Sequence, residues 1–125
     1  MHTPTDIVHL YWHLMESNDF ESVRTVLAES FVLEWPQSGE RIRGGANFAR
    51  MNREYPAKGP WRFSINRLFG SGEQVVSDVN VTDGAMQARA LSFFEVSEGK
   101  ITRIVEFWPE PYPAPKDRAH LVERF

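Results

Sequence analysis

The order of patterns along the chain predicts an α+β domain, a curved antiparallel sheet with helices on one side. Three observations carry that reading. Apolar residues recur at helical spacing in the first part of the chain. From Trp61 onward, alternating stretches follow one another through hairpin signals such as Asp83-Gly84. The segment Gly99–Pro115 then begins as a strand and ends with proline at every other residue, from Pro109 to Pro115. At 125 residues the chain makes a single domain, over 1–125, with length enough for a real core. No internal repeat, low-complexity tract or linker interrupts it.

Thr3 can cap a helix, Pro4 suits the first helical position, and Asp6 complements the N-terminal dipole. Ile7, Tyr11, Leu14 and Met15 then predict a helix from about Pro4 to Ser17. Asn18-Asp19 breaks it and caps a short second helix, carried by Phe20, Val23, Val26 and Leu27 and ending near Ala28 or Glu29. Phe31–Trp35 reads as a strand stopped by Pro36. A turn over Gln37–Glu40 returns the chain through Arg41–Arg43 to the break at Gly44-Gly45. A third helix follows from about Ala46 to Tyr55, with Phe48 and Met51 inward, and Pro56–Pro60 ends it.

The remainder reads as sheet. Trp61–Phe69 alternates, with Trp61, Phe63, Ile65 and Phe69 on one face. Gln74–Thr82 and Met86–Val96 are the next strands, and Ser97–Lys100 turns into the last one. On that strand Ile101, Val105 and Phe107 share one face, and Thr102, Ile104, Glu106 and Trp108 the other. The proline run leaves the sheet as a stiff, extended tail. It is expected to pack across a pocket rim or a dimer seam with Tyr112 as its anchor. Lys116–Phe125 could form one short terminal helix.

Composition excludes several classes. The net charge of −3 and the lack of a basic patch argue against nucleic acid and anionic membranes as partners. No cysteine is present, so disulfide and thiol chemistry are excluded. The N-terminal residues carry neither a basic region nor a long apolar run, so no signal peptide or membrane span is expected and a cytoplasmic location is. There is no Gly-rich phosphate loop, nucleophile elbow or metal cluster, so neither a cofactor nor a metal is implied. His9 and His13 have ligand-like spacing, yet they fall with Asp6 on the face opposite Ile7, Tyr11 and Leu14, and read as solvated.

Glu106 is the residue that stands out. It is a carboxylate between Ile104 and Trp108 on an otherwise apolar strand face, where a charge is costly without a partner or a task. Either it faces a pocket, where burial would raise its pKa towards that of a proton shuttle, or it pairs with Arg89 or Arg103. Arg103 is the poorer partner because it points to the opposite face. Glu34 points away from its neighbour Trp35. Asp78 and Asn80 share a strand face that is either solvated, part of an interface, or, for Asp78, within reach of the pocket. His120 lies in the tail region, where the pattern leaves its place open.

Several pieces together resemble the SnoaL-like (polyketide cyclase-like) branch of the nuclear transport factor 2-like superfamily. They are Asn18-Asp19-Phe20, Glu34-Trp35-Pro36 with Gly44-Gly45, Tyr55-Pro56, Ser97-Glu98-Gly99-Lys100-Ile101 and Glu106-Phe107-Trp108-Pro109-Glu110-Pro111. The resemblance implies a cone-shaped, mostly antiparallel sheet wrapped around three helices of the N-terminal half. It also implies an apolar pocket at the wide end and a homodimer through the sheet, whose outer face still carries Leu68, Leu91 and Phe93. Its members include isomerases, cyclases, dehydratases, epoxide hydrolases and non-catalytic binding domains, so function rests on the site.

Ketosteroid isomerase, a related enzyme, uses a tyrosine, a carboxylate base and a protonated aspartate. Their positions fall on Tyr11, on Trp35, and near Ser92 or Phe93. Two of the three roles are therefore missing, and that mechanism is not expected. Glu106, aligned through Trp108, offers a replacement. The resulting expectation is cofactor-free acid/base chemistry on an apolar, oxygenated small molecule, of the isomerase, cyclase or dehydratase kind. Glu106 and Tyr11 act, and Trp35, Phe48, Trp108, Ser92 and Ile104 bind the ligand. Tyr11 keeps a second reading as a core aromatic. The alternative for the whole chain is a binding or dimeric interaction module without turnover.

Overall fold

The computed structural model describes residues 2–125; Met1, included in the expected domain, lies outside the described residues. Helix α1 spans Pro4–Glu16 and a 3-10 helix spans Ser22–Val26. Strands β1 (Leu27–Trp35) and β2 (Glu40–Arg43) precede helix α2 (Gly44–Glu54). Four strands follow, β3 (Arg62–Ser71), β4 (Gln74–Thr82), β5 (Gln87–Ser97) and β6 (Lys100–Phe107), and a 3-10 helix spans Lys116–Leu121. The six strands form one curved, unclosed sheet in the order β2-β1-β6-β5-β4-β3. All neighbours are antiparallel except β1 and β6. This is the expected α+β architecture, with three helices in the N-terminal half against one sheet.

Helix α1 begins as its sequence predicts. Thr3 Oγ1 accepts from the Asp6 N–H at 3.2 Å, and the Asp6 carboxylate accepts from the Thr3 N–H at 3.1 Å, a reciprocal capping box. The helix lies inside the curve of the sheet and buries Val8 and Trp12 as well as Ile7, Tyr11 and Met15. Its wide apolar arc reflects contact with sheet on more than one side. His9 and His13 are exposed, as expected of the solvated face.

The second helix is shorter than its spacing predicts. It stops at Val26, and Leu27 already pairs with Ile101 in the sheet. Residues expected to end a helix start β1 instead, because strand pairing with β6 supplies hydrogen bonds and burial that one more helical turn would lack. At the other end of the chain, the expected terminal helix forms only as the 3-10 stretch Lys116–Leu121, with no buried residue to hold a longer one.

Two bulges re-phase the faces. The β3–β4 register shifts between Ile65 and Arg67, so Leu68 packs on the core and Phe69 is 63% exposed on the outside. The expected outer position of Leu68 is therefore wrong, as is the expected shared face of Phe63 and Phe69. The β5–β6 register shifts between Glu95 and Val96, which turns Ile101 inward with Ile104 and Glu106 rather than outward with Val105 and Phe107.

Candidate functional site

Between the helices and the wide end of the sheet lies a cavity of about 410 Å³. That volume suits a small-molecule site. Alternation along β1 turns Leu33 and Trp35 into it, and β6 with the residue after it contributes Glu106 and Trp108. Helix α1 supplies Tyr11, Trp12 and Met15, and α2 supplies Phe48 and Met51. The entry to α2 is set by Gly44, whose φ of 81° lets the chain turn from β2 into the helix.

Glu106 is 5% exposed. Ser92 Oγ donates to its Oε2 at 2.6 Å, and the Trp35 indole N–H donates to its Oε1 at 3.1 Å. Ser92 and Glu106 are cross-strand partners, so β-sheet register alone brings them together. Burial raises the Glu106 pKa above the ordinary carboxyl value, while the hydrogen bonds from Ser92, Trp35 and Trp108 hold it back. Neither arginine weighed as a partner reaches it. Arg89 binds the Asp78 carboxylate and Arg103 the Glu34 carboxylate, both on the outer face.

Tyr11 is 2% exposed and packs edge-on against Trp12 and Phe94, with ring centroids 5.0 and 5.3 Å away. Its hydroxyl makes no hydrogen bond among the described residues, although the side chain lines the cavity. Desolvation, and then the nearby charge of Glu106, push its pKa well above 10. The phenol therefore stays protonated and is a standing hydrogen-bond donor. The Trp12 indole N–H, by contrast, is already committed to Ser77 Oγ at 3.1 Å.

Trp35, Phe48 and Trp108 line the cavity. Ser92 and Ile104 do not. Both are fully buried behind the wall, Ser92 under the Glu106 carboxyl and Ile104 in the core, so neither is placed to touch a ligand. Asp78 is on the outer face, held by Arg67, Arg89 and Asn66, and does not reach the cavity. His120 is exposed and away from the cavity lining. Tyr112 is 76% exposed and anchors nothing. The tail is fastened at its root instead. The Gln37 side-chain amide pairs with the Trp108 backbone, accepting from its N–H at 2.6 Å and donating to its carbonyl at 3.3 Å.

Sequence patterning singles out neither Gln37 nor Trp12. The signal for Trp12 is a second apolar stripe, Val8-Trp12-Met15, beside that of Ile7, Tyr11 and Leu14. Gln37 carries none, since its pairing depends on where β6 ends. Asp83 is a further unread support. Its carboxylate accepts from the backbone N–H groups of Lys58, Ala85 and Met86, each at 2.9 Å, which holds its pKa down to about 2 and ties the loop after α2 to the β4–β5 hairpin beside the cavity.

The chain belongs to the SnoaL-like domain family, whose sequence profile matches residues 8–104. Its fold is that of the NTF2-like superfamily. A crystal structure from Kribbella flavida DSM 17836, provisionally named a ketosteroid isomerase, is 36% identical, with 98% of this chain and 89% of that one covered and a TM-score of 0.90. An NTF-2-like protein of unknown function from Burkholderia xenovorans LB400 is 23% identical over 98% of this chain and 94% of its own, with a TM-score of 0.81. An epoxide hydrolase of M. tuberculosis, described as LEH-like, is 23% identical over 85% and 82%, with a TM-score of 0.70. No curated protein matches the chain. Among the described residues, no helix is long and apolar enough to cross a membrane, and no cluster of three metal-ligating side chains occurs.

Proposed function

We propose that this protein is an acid/base enzyme that moves a proton on an apolar, oxygenated small molecule without a cofactor. The observation that carries the reading is Glu106, a buried carboxyl on the cavity wall whose hydrogen-bond donors, Ser92, Trp35 and Trp108, are all neutral, with no cation among them. An ion-paired carboxylate would be a weak base; one held only by neutral donors is ionisable, and burial raises its pKa above the ordinary carboxyl value. Glu106 removes a proton from the carbon beside a ligand carbonyl. Tyr11 donates to the oxygen on which negative charge builds. Glu106 then returns the proton to the same or a neighbouring carbon, and the step balances with no other reactant. A ketosteroid and an epoxide, the compounds in the names of two structural relatives, are likewise apolar and oxygenated. The two-carboxylate route of ketosteroid isomerases is not the one proposed, since Trp35 cannot take a proton.

Enolisable ketones such as 2-tetralone, incubated with the protein in heavy water, test the reading by NMR. The protein is expected to accelerate deuterium uptake beside the carbonyl, and Glu106→Gln to lower that rate at least about a hundredfold while the fold is kept. Exchange that is indifferent to Glu106→Gln overturns the assignment. Absence of any acceleration across a ketone panel leaves a binding module without turnover. We further propose that two copies pair through the outer face of the sheet, and the test of that pairing belongs with the whole molecule below.

A further inference from the structure

We propose that the ligand of this cavity is a monocation: an apolar, oxygen-bearing molecule that carries a protonated amine. The inference rests on the acid/base reading above and narrows its substrate class. All four tryptophans of the chain, Trp12, Trp35, Trp61 and Trp108, line the cavity. Three carboxyl groups line it too, Glu106 in the buried part and the exposed Glu40 and Glu110 at the mouth. Of the chain's 14 lysines and arginines, none is among the lining residues, and no histidine is.

The acidic groups at the mouth are not spent elsewhere. Glu34 holds Arg41 and Arg103, Asp78 holds Arg67 and Arg89, and Glu21 holds Arg24 and Arg53. Glu40 and Glu110 have no ion-pair partner among the described residues. Tyr11 independently points to a ligand: the residue is 2% exposed, yet its side chain lines the cavity and its hydroxyl has no hydrogen-bond partner among the described residues. An anion entering here would shed water, meet no cation and approach three carboxyl groups. A cation would meet indole faces and carboxylates. The oxygen of such a ligand reaches Tyr11 and Glu106, and its ammonium stays at the mouth between Glu40 and Glu110.

Because every tryptophan lines the cavity, intrinsic fluorescence excited at a wavelength only indole absorbs reads occupancy directly. The full chain is titrated with 4-phenylbutylammonium, 4-phenylbutanol and 4-phenylbutyrate, which share a body and differ in charge. The ammonium is expected to bind about tenfold more tightly than the alcohol, and the butyrate most weakly. In the double variant Glu40→Gln/Glu110→Gln the ammonium should fall to within about threefold of the alcohol. Three results would each overturn the proposal: equal or tighter binding of the alcohol or the butyrate, no response to millimolar ammonium, or a preference that survives the double variant. Failure of the acid/base reading shows separately, as deuterium exchange that Glu106→Gln does not change.

Discussion

At the residue scale, the site turns on how one carboxyl group is kept ionisable inside an apolar wall. Trp35 and Ser92 both donate to Glu106, two neutral side chains holding a buried acid from neighbouring strands. Ser92 faces inward, while its neighbour Phe93 is 46% exposed on the outside. A pH dependence follows from the raised pKa of Glu106. A group whose folded-state pKa lies above its unfolded value adds stability below the unfolded value and loses it as pH rises through the folded one. Glu106→Gln, which cannot ionise, escapes that loss. Its melting temperature is expected to exceed that of the native protein at pH 8, with the gap closing towards pH 4. Thermal unfolding at both pH values measures it, and a gap that is constant with pH would show that Glu106 is not strained by burial.

At the element scale, what could be read in the sequence and what could not divide at the bulges. Alternation is a period-two signal, so Phe31-Val32-Leu33-Glu34-Trp35 correctly places Trp35 inward and Glu34 outward. A bulge adds one residue and reverses every face beyond it, with no residue type marking the place. This is why Leu68 and Phe69 exchange faces relative to simple alternation, and why Ile101 turns in, while Glu106, beyond the bulge in β6, is placed correctly by alternation with Ile104 and Trp108. Long-range pairing of side-chain amides is equally unreadable. Asn18, with φ at 62°, accepts from the Trp61 N–H and donates to the Trp61 carbonyl, both at 2.8 Å, joining the end of α1 to the approach to β3. Asn18→Gly keeps that backbone conformation free of strain and loses the side chain's hydrogen bonds, the Trp61 pairing and the bond to the Glu16 carbonyl, at a cost of about 2 kcal/mol. Asn18→Ala adds left-handed strain and should cost about 3 kcal/mol. Denaturant titration of the two variants separates the contributions, and equal stabilities would mean that the conformation costs nothing here.

At the scale of the whole molecule, the inner face of the sheet is covered by the chain's own helices, and the outer face is not. Phe93 and Phe107 pack edge to face there with centroids 6.1 Å apart, yet Phe93 stays 46% exposed and Phe69 63%. Beside them Asp78 is held under Arg67 and Arg89, its pKa lowered first by the hydrogen bond from Arg89, so the one buried carboxylate of this face is already ion-paired. A face that joins uncovered aromatics to a carboxylate already ion-paired suits a second copy better than water. The proposed pairing is expected to give a sedimenting species of twice 14.4 kDa at micromolar concentration. Two-fold symmetry sharpens the test, because each substitution enters the seam from both copies. Phe93→Glu would set two unpaired carboxylates into the contact, each facing an apolar partner, and leave the helices and cavity on the opposite side of the sheet untouched. The expected result is a monomer of unchanged far-ultraviolet circular dichroism that still quenches its tryptophan fluorescence with the cavity probe. A native chain that sediments as a monomer at tens of micromolar, or a Phe93→Glu dimer, would show that the outer face is covered by something else or by nothing.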